Sequence, residues 1–341
     1  VSPTSTMKLV IFNTGRVGAL LDDRSVIDLN YAYTSFLHQK DEVRPYERAA
    51  LLLPSNMLSF IEEGQDTLDL SEKVITWVLA GNKSGPMGEK LHFREGEVKL
   101  RAPLPSLQSR IMMAGSNFWD HARDGLNVRS EKEYTIEDVK ELVKKGEKRP
   151  WGFWKQAYNV IGPGEPITYP DRTERLDYEC ELAAIIGKSC KDVSEDEALS
   201  YVYGWTIIND MSCRDHPSDV GLWVEKNFDG SAPMGPCIVT AEEIADPYNL
   251  SIKQTVNGEL RQNGNTSDMI WDYSYWISWL SRDLTLRPGD IICGGTCSGT
   301  AMDQTPRQNG TTDPKLFLKP GDRLEASIQN IGTLRNHIIP K

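Results

Sequence analysis

LDYECELAAIIGK (176–188) and, after a short linker, YVYGWTIINDMSCRD (201–215) decide how this chain reads. The first segment is strand-like, and side chains alternate across a strand, so Glu179 and Glu181 point to the same face. Asp210 closes a second apolar run, 205–208, which lies beside the first if both join one sheet. Three carboxylates then converge. An oxygen-only donor set without His or Cys favours a hard cation, Mg²⁺, Mn²⁺ or Ca²⁺, over zinc. Read alone, Glu-x-Glu is equally the wet face of an edge strand. Between the two runs, Ser194 and Glu197 show capping-box spacing, which predicts a connecting helix over 194–201.

Upstream, a predicted strand at 110–113 leads into GSNFWDHARDG (115–125). His121 and Asp124 are three apart, so on a helical turn they share a face and the carboxylate can orient the imidazole as a general base. A capped helix with a surface His is the plainer reading. Residues 131–148 are densely charged and read as an exposed helix, either a lid or a solvated insertion. Lys155 follows, among Trp151, Phe153 and Trp154; such a cation binds a substrate carboxylate or stacks on a ring.

Downstream of Asp210, a loop rich in Gly and Pro carries Arg214, Asp215, Lys226 and Asp229. His216 stands beside Pro217 and is read as part of a turn. The 250–262 stretch alternates around Asn257-Gly258, a hairpin signal, and 266–281 reads as a helix. IICGGTCSGT (291–300) is a strand opening onto a glycine-rich loop, where Thr296 and neighbouring backbone N–H groups suit an anionic oxygen. No G-K-[ST] follows and no G-x-S-x-G elbow occurs, which removes the P-loop and α/β-hydrolase readings.

At 341 residues, with 39% hydrophobic residues and nine Trp, the chain suits a large globular core. Its net charge of −11 argues against nucleic acid as a partner. No apolar run is long enough to span a membrane. All six cysteines lie in the second half without C-x-x-C pairs, the pattern of reduced thiols in a cytoplasmic or mitochondrial-matrix protein. Residues 1–105 read as a small N-terminal α/β unit, a strand meander followed by helices near 47–53, 56–63 and 70–79. Residues 106–341 read as the catalytic domain, and VSPTST before Met7 as an extension.

The segments DYECELAAIIGK, YVYGWTIINDMSCRD, KNFDGSAPMGP (226–236), VNGELRQNGNTSDMIW (256–271), LRPGDIICGGTCSGT (286–300) and FLKPGDRLEASIQNIG (317–332) occur in an order that resembles the fumarylacetoacetate hydrolase family. The resemblance implies an α+β, predominantly β fold, a mixed β-sandwich roll, in a homodimer. It implies a divalent metal, Mg²⁺ or Mn²⁺ with Ca²⁺ an option, on Glu179, Glu181 and Asp210. The implied activity is cleavage of a carbon–carbon bond in an acylpyruvate or related 1,3-diketo acid, with oxaloacetate decarboxylation or keto–enol tautomerisation as the alternative on the same scaffold. A metal-binding member without catalysis is the third reading. A small keto acid is the expected partner. By the same likeness, His121, Asp124 and Lys155 are candidate catalytic residues, and Arg214, Lys226 and Thr296 candidate substrate contacts. Asp124 departs from the family's His-x-x-Glu by one methylene, which weakens the expected dyad.

Overall fold

The structure is a computed structural model that describes residues 7–82, 84–104, 106–215, 221–305 and 314–341; the 1–6 extension and His216 lie outside the described residues. Its centre is the pair that opened the sequence reading. Cys180–Ile186 runs antiparallel to Val202–Asn209, with Cys180 opposite Asn209 and Glu181 opposite Ile208. Both strands are buried along their whole length, as apolar runs covered on both faces must be.

From this pair a mixed sheet of 12 strands spreads both ways. On one side Ile291–Cys293 pairs with Cys180–Ile186, then Ile111–Ala114 runs parallel to it, and Gly152–Lys155 forms the outer edge. On the other side Ala232–Thr240 pairs with Val202–Asn209 and with Lys8–Phe12. The N-terminal meander of Lys8–Phe12, Arg16–Leu20 and Val26–Asp28 therefore extends the same sheet across the boundary expected at 105.

One face of the sheet packs on helices Leu29–Gln39, Pro45–Leu52, Met57–Glu62 and Gln65–Leu79, through Phe36, Phe60 and Val74 against Leu9, Ile11, Ala183 and Ile185. The other face meets a second sheet of five strands, through Leu182, Ala184 and Ile207 against Ile252, Ile328 and Leu334. Two packed sheets with peripheral helices give the strand-rich α+β sandwich that the family resemblance implies. The Ser251–Val256 and Glu259–Asn265 hairpin turns at Asn257 (φ 53°) and Gly258 (φ 82°), both left-handed as the Asn-Gly signal requires.

Two local expectations change. The 194–201 helix is a short Glu195–Ala198 turn with a 3₁₀ extension. Ser194 donates to the Glu197 carboxylate at 2.8 Å instead of capping the backbone. A reciprocal capping box forms instead at Thr135 and Asp138. The 266–281 segment breaks into a 3₁₀ turn, Thr266–Asp268, and a helix, Tyr273–Ser281, because Asp272 caps the second at the Tyr275 N–H. The charged 131–148 segment holds the expected helix, Ile136–Lys144, which together with Trp119–Arg129 links Ile111–Ala114 to Gly152–Lys155.

Candidate active site

Strand alternation and one backbone bond assemble the acidic centre. Glu179 and Glu181 flank Cys180 on the face opposite its thiol, and the Asp210 N–H donates to the Glu179 carbonyl at 2.8 Å, which sets the third acid beside the first. The Asn209 side chain holds the turn by accepting from the Glu179 N–H at 2.9 Å and donating to Gln254 at 3.1 Å. All three acids are buried, and one oxygen of each lies within 4.8 Å of the others.

Three cations face them. Lys155 Nζ lies 2.6 Å from Asp210 Oδ1. Lys226 Nζ donates to Glu179 at 2.9 Å, Asp210 at 2.8 Å and the Ser212 hydroxyl at 2.6 Å. Arg214 pairs with Asp177 at 3.0 Å, Glu225 at 2.9 Å and Glu179. The sequence places Lys155, Arg214 and Lys226 as separate groups around a substrate; in the structure they bond directly to the acidic centre.

The electrostatics divide the acids. Burial opposes ionisation of Glu179, but Lys226, Arg214 and His121 outweigh it and hold that carboxyl below its ordinary range. Among the described residues no cation bonds directly to Glu181, and the pull of Lys226 on it is outweighed. Burial, then Asp210 and Glu179, push its carboxyl well above the ordinary value. Burial also lowers Lys155, beyond what Asp210 restores. These residues fit a divalent ion. Glu181 is a buried carboxylate with no ion pair among the described residues, held by the Gly295 N–H at 2.9 Å. Asp210 Oδ1 has no donor in hydrogen-bond geometry among the described residues, despite the nearby Lys155 ammonium. Oxygen-only donors suit Mg²⁺ or Mn²⁺.

His121, on the Trp119–Arg129 helix, is buried, and its Nδ1 lies 2.8 and 3.0 Å from the carboxylate of Asp303. This corrects the expected pairing with Asp124. That carboxylate instead accepts from Arg123 Nε at 2.7 Å and from the Ser298 hydroxyl. Burial would lower the imidazole's pKa, yet Asp303 more than offsets it and the net direction is upward. Asp303 went unread because it lies 182 residues from its partner. A local signal existed: Thr300-x-x-Asp303 is capping-box spacing. The two residues bond reciprocally, Thr300 N–H to Asp303 at 3.2 Å and Asp303 N–H to the Thr300 hydroxyl at 3.1 Å. Asp177 steadies the same turn by accepting from the N–H groups of Ala301 at 2.8 Å and Met302 at 3.1 Å.

The hydroxyl of Thr296 is already used. It donates to the Cys180 carbonyl at 2.9 Å and accepts from Gln262 at 2.8 Å, so it braces the carboxylate strand instead of presenting its proton to an anion. Among the described residues no helix is long and apolar enough to cross a membrane.

Residues 110–339 match the family described as fumarylacetoacetate (FAA) hydrolase C-terminal. The chain is 34% identical to the oxaloacetate tautomerase YisK of Bacillus subtilis, over 96% of this chain and 97% of that protein. Among solved structures it resembles a fumarylacetoacetate hydrolase from Exiguobacterium antarcticum, at 28% identity and a TM-score of 0.70, covering 98% of this chain and 100% of the other. It likewise resembles maleylpyruvate hydrolase from Sphingobium sp. SYK-6, at 25% identity and a TM-score of 0.69 with the same coverage.

Proposed function

Because the chain belongs to the fumarylacetoacetate hydrolase family, we propose that it is a divalent-metal-dependent hydrolase that splits the carbon–carbon bond of an acylpyruvate or related 1,3-diketo acid. The observation that carries this reading is the buried His121–Asp303 pair placed where it feels the charge of Glu179. An imidazole oriented and charge-compensated by a carboxylate is what water activation requires.

A metal held by Glu179, Glu181 and Asp210 would supply Lewis-acid stabilisation of enolate charge on the 2-oxo acid. His121 takes a proton from water as the water oxygen bonds to the distal carbonyl carbon. The bond between that carbon and the methylene breaks, its electron pair passes into the pyruvate enolate, and the proton from His121 ends on the methylene carbon. The products are pyruvate and a carboxylic acid, so atoms and charge balance. Asp303 keeps Nε2 of the imidazole facing the reaction and stabilises the imidazolium. Lys155 and Lys226 offset negative charge on the acids and on the bound keto acid.

A second reading is favoured by the 34% identity to an oxaloacetate tautomerase. On the same residues, His121 would move a proton between carbon and oxygen of oxaloacetate without an attacking water. Incubation with acylpyruvates and with oxaloacetate, in Mn²⁺ and in EDTA, separates the two. A metal-dependent split into two acids supports the hydrolase, whereas enol loss from oxaloacetate with no split of any acylpyruvate supports the tautomerase.

A further inference from the structure

Above Lys155, one face of the Gly152–Lys155 strand carries two aromatic side chains that the proposed chemistry does not use. Lys155 lies at its base, fully buried against Asp210. Two residues back, the half-buried ring of Phe153 stands 5.4 Å from Lys226 Nζ. Two residues further, Trp151 is 41% exposed, its ring 6.5 Å from that of Phe153 and inclined by 35°. Alternation along a strand puts the three on one face, with Trp151 about 13 Å from Lys155 along the backbone.

The ladder continues beyond the strand, since the Gly115 N–H donates to the Trp151 carbonyl at 2.9 Å. Glycine is needed at 115: a Cβ there would come within 2.4 Å of the indole. The insertion that carries His121 leaves the sheet near Gly115 and returns at Trp151, so the two rings stand at its root. Phe153 sits against the charged floor at Lys226, while Trp151 beyond it stays exposed. An exposed indole backed by a second ring and a buried cation is a surface shaped to hold a flat apolar group.

Resting on the keto-acid reading above, we propose that Phe153 and Trp151 form an acyl subsite that selects a planar, apolar acyl group about the size of a phenyl ring or a conjugated chain. The floor binds the 2-oxo acid and the aromatic wall chooses what is attached to it.

The test is equilibrium binding to the Mn²⁺-loaded protein, by calorimetry, of two keto acids that are not cleaved: pyruvate and 4-phenyl-2-oxobutanoate. The wild-type protein should bind the phenyl compound about tenfold more tightly or better. W151A and F153A should each bring the ratio towards one, W151F should retain most of it, and G115A, which displaces the indole without altering either ring, should lower it. A wild-type ratio near one overturns the proposal, as does a ratio that none of the four variants changes. If neither keto acid binds although Mn²⁺ does, the keto-acid reading fails and the subsite falls with it. Ratios measured within one protein cancel differences in folded fraction, and the wild-type ratio decides even if a variant does not fold.

Discussion

Nδ1 of His121 lies 2.8 Å from Oδ2 of Asp303, across 182 residues of chain and inside the protein. The pair joins the inserted helix to the turn that follows the glycine-rich loop, two elements that follow the adjacent parallel strands Ile111–Ala114 and Ile291–Cys293. It replaces the local His121–Asp124 pair and restores a full-strength orienting carboxylate beside the imidazole.

Asp303 should therefore matter far more than Asp124. D303A is expected to lower kcat/KM by about 10²-fold or more, the usual range for a disabled general base. D124N, which loosens only the bonds to Arg123 and Ser298, should cost less than about tenfold. Steady-state rates on the cleaved acylpyruvate check both, and a larger loss in D124N would reverse the assignment.

The pH profile carries a sign that can be worked out. A base must be deprotonated, so activity rises as pH passes the His121 pKa, and Asp303 places that value above the ordinary 6.5. In D303N the counter-charge is gone and burial, which lowers an imidazole, prevails. The acid limb of kcat/KM should move to lower pH in D303N, and an unmoved limb would show that it belongs to another group.

Sequence alone exposed the acidic centre because strand geometry is local. Glu179 and Glu181 share a face through the two-residue period, and the apolar run ending at Asp210 pairs with the run nearest before it in sequence. The partners of the side chains were not legible. Lys155, Arg214 and Lys226 were recognisable as cations near the site, but only folding shows them bonded to the acids themselves. Thr296 carried an oxyanion-site signal, yet the carbonyl of Cys180 takes its proton. The N-terminal meander read as strands, while its pairing of Lys8 with Val239 has no trace in local pattern.

Metal binding should be visible without turnover. A ligand at a hundred times its Kd stabilises a protein by about 2.7 kcal/mol, so Mn²⁺ should raise Tm by a few degrees and EDTA should reverse it. E181Q should abolish the shift. Its metal-free Tm should equal or exceed that of the metal-free wild type, because Gln relieves a buried carboxylate facing Asp210 and Glu179. A metal-induced shift that survives E181Q would place the ion elsewhere.

Lys148 provides a separate check on stability. Its amino group sits 5.6 Å from the Trp271 ring, and burial pulls its pKa down to about 8. In the unfolded chain it stays protonated to about 10.4. Between these values the unfolded state binds more protons, so stability rises with pH across that window, while below pH 8 the charged folded form bears the cost. K148M should stabilise the protein at pH 7 by about 1–2 kcal/mol, discounted for residual solvent contact, and should flatten the rise. Urea unfolding at pH 7 and pH 9.5 tests it, and equal stability of both proteins at pH 7 would refute it.

The most direct test of the central assignment is turnover of an acylpyruvate in H₂¹⁸O with Mn²⁺, reading the released acids by mass. If His121 and Asp303 drive water onto the distal carbonyl, the carboxylic acid cut from pyruvate carries one ¹⁸O in its new carboxylate, and D303N slows its appearance in step with substrate loss. If the acylpyruvate returns intact and only its enol absorbance has changed, or if D303N cleaves as fast as wild type, the hydrolytic account is contradicted.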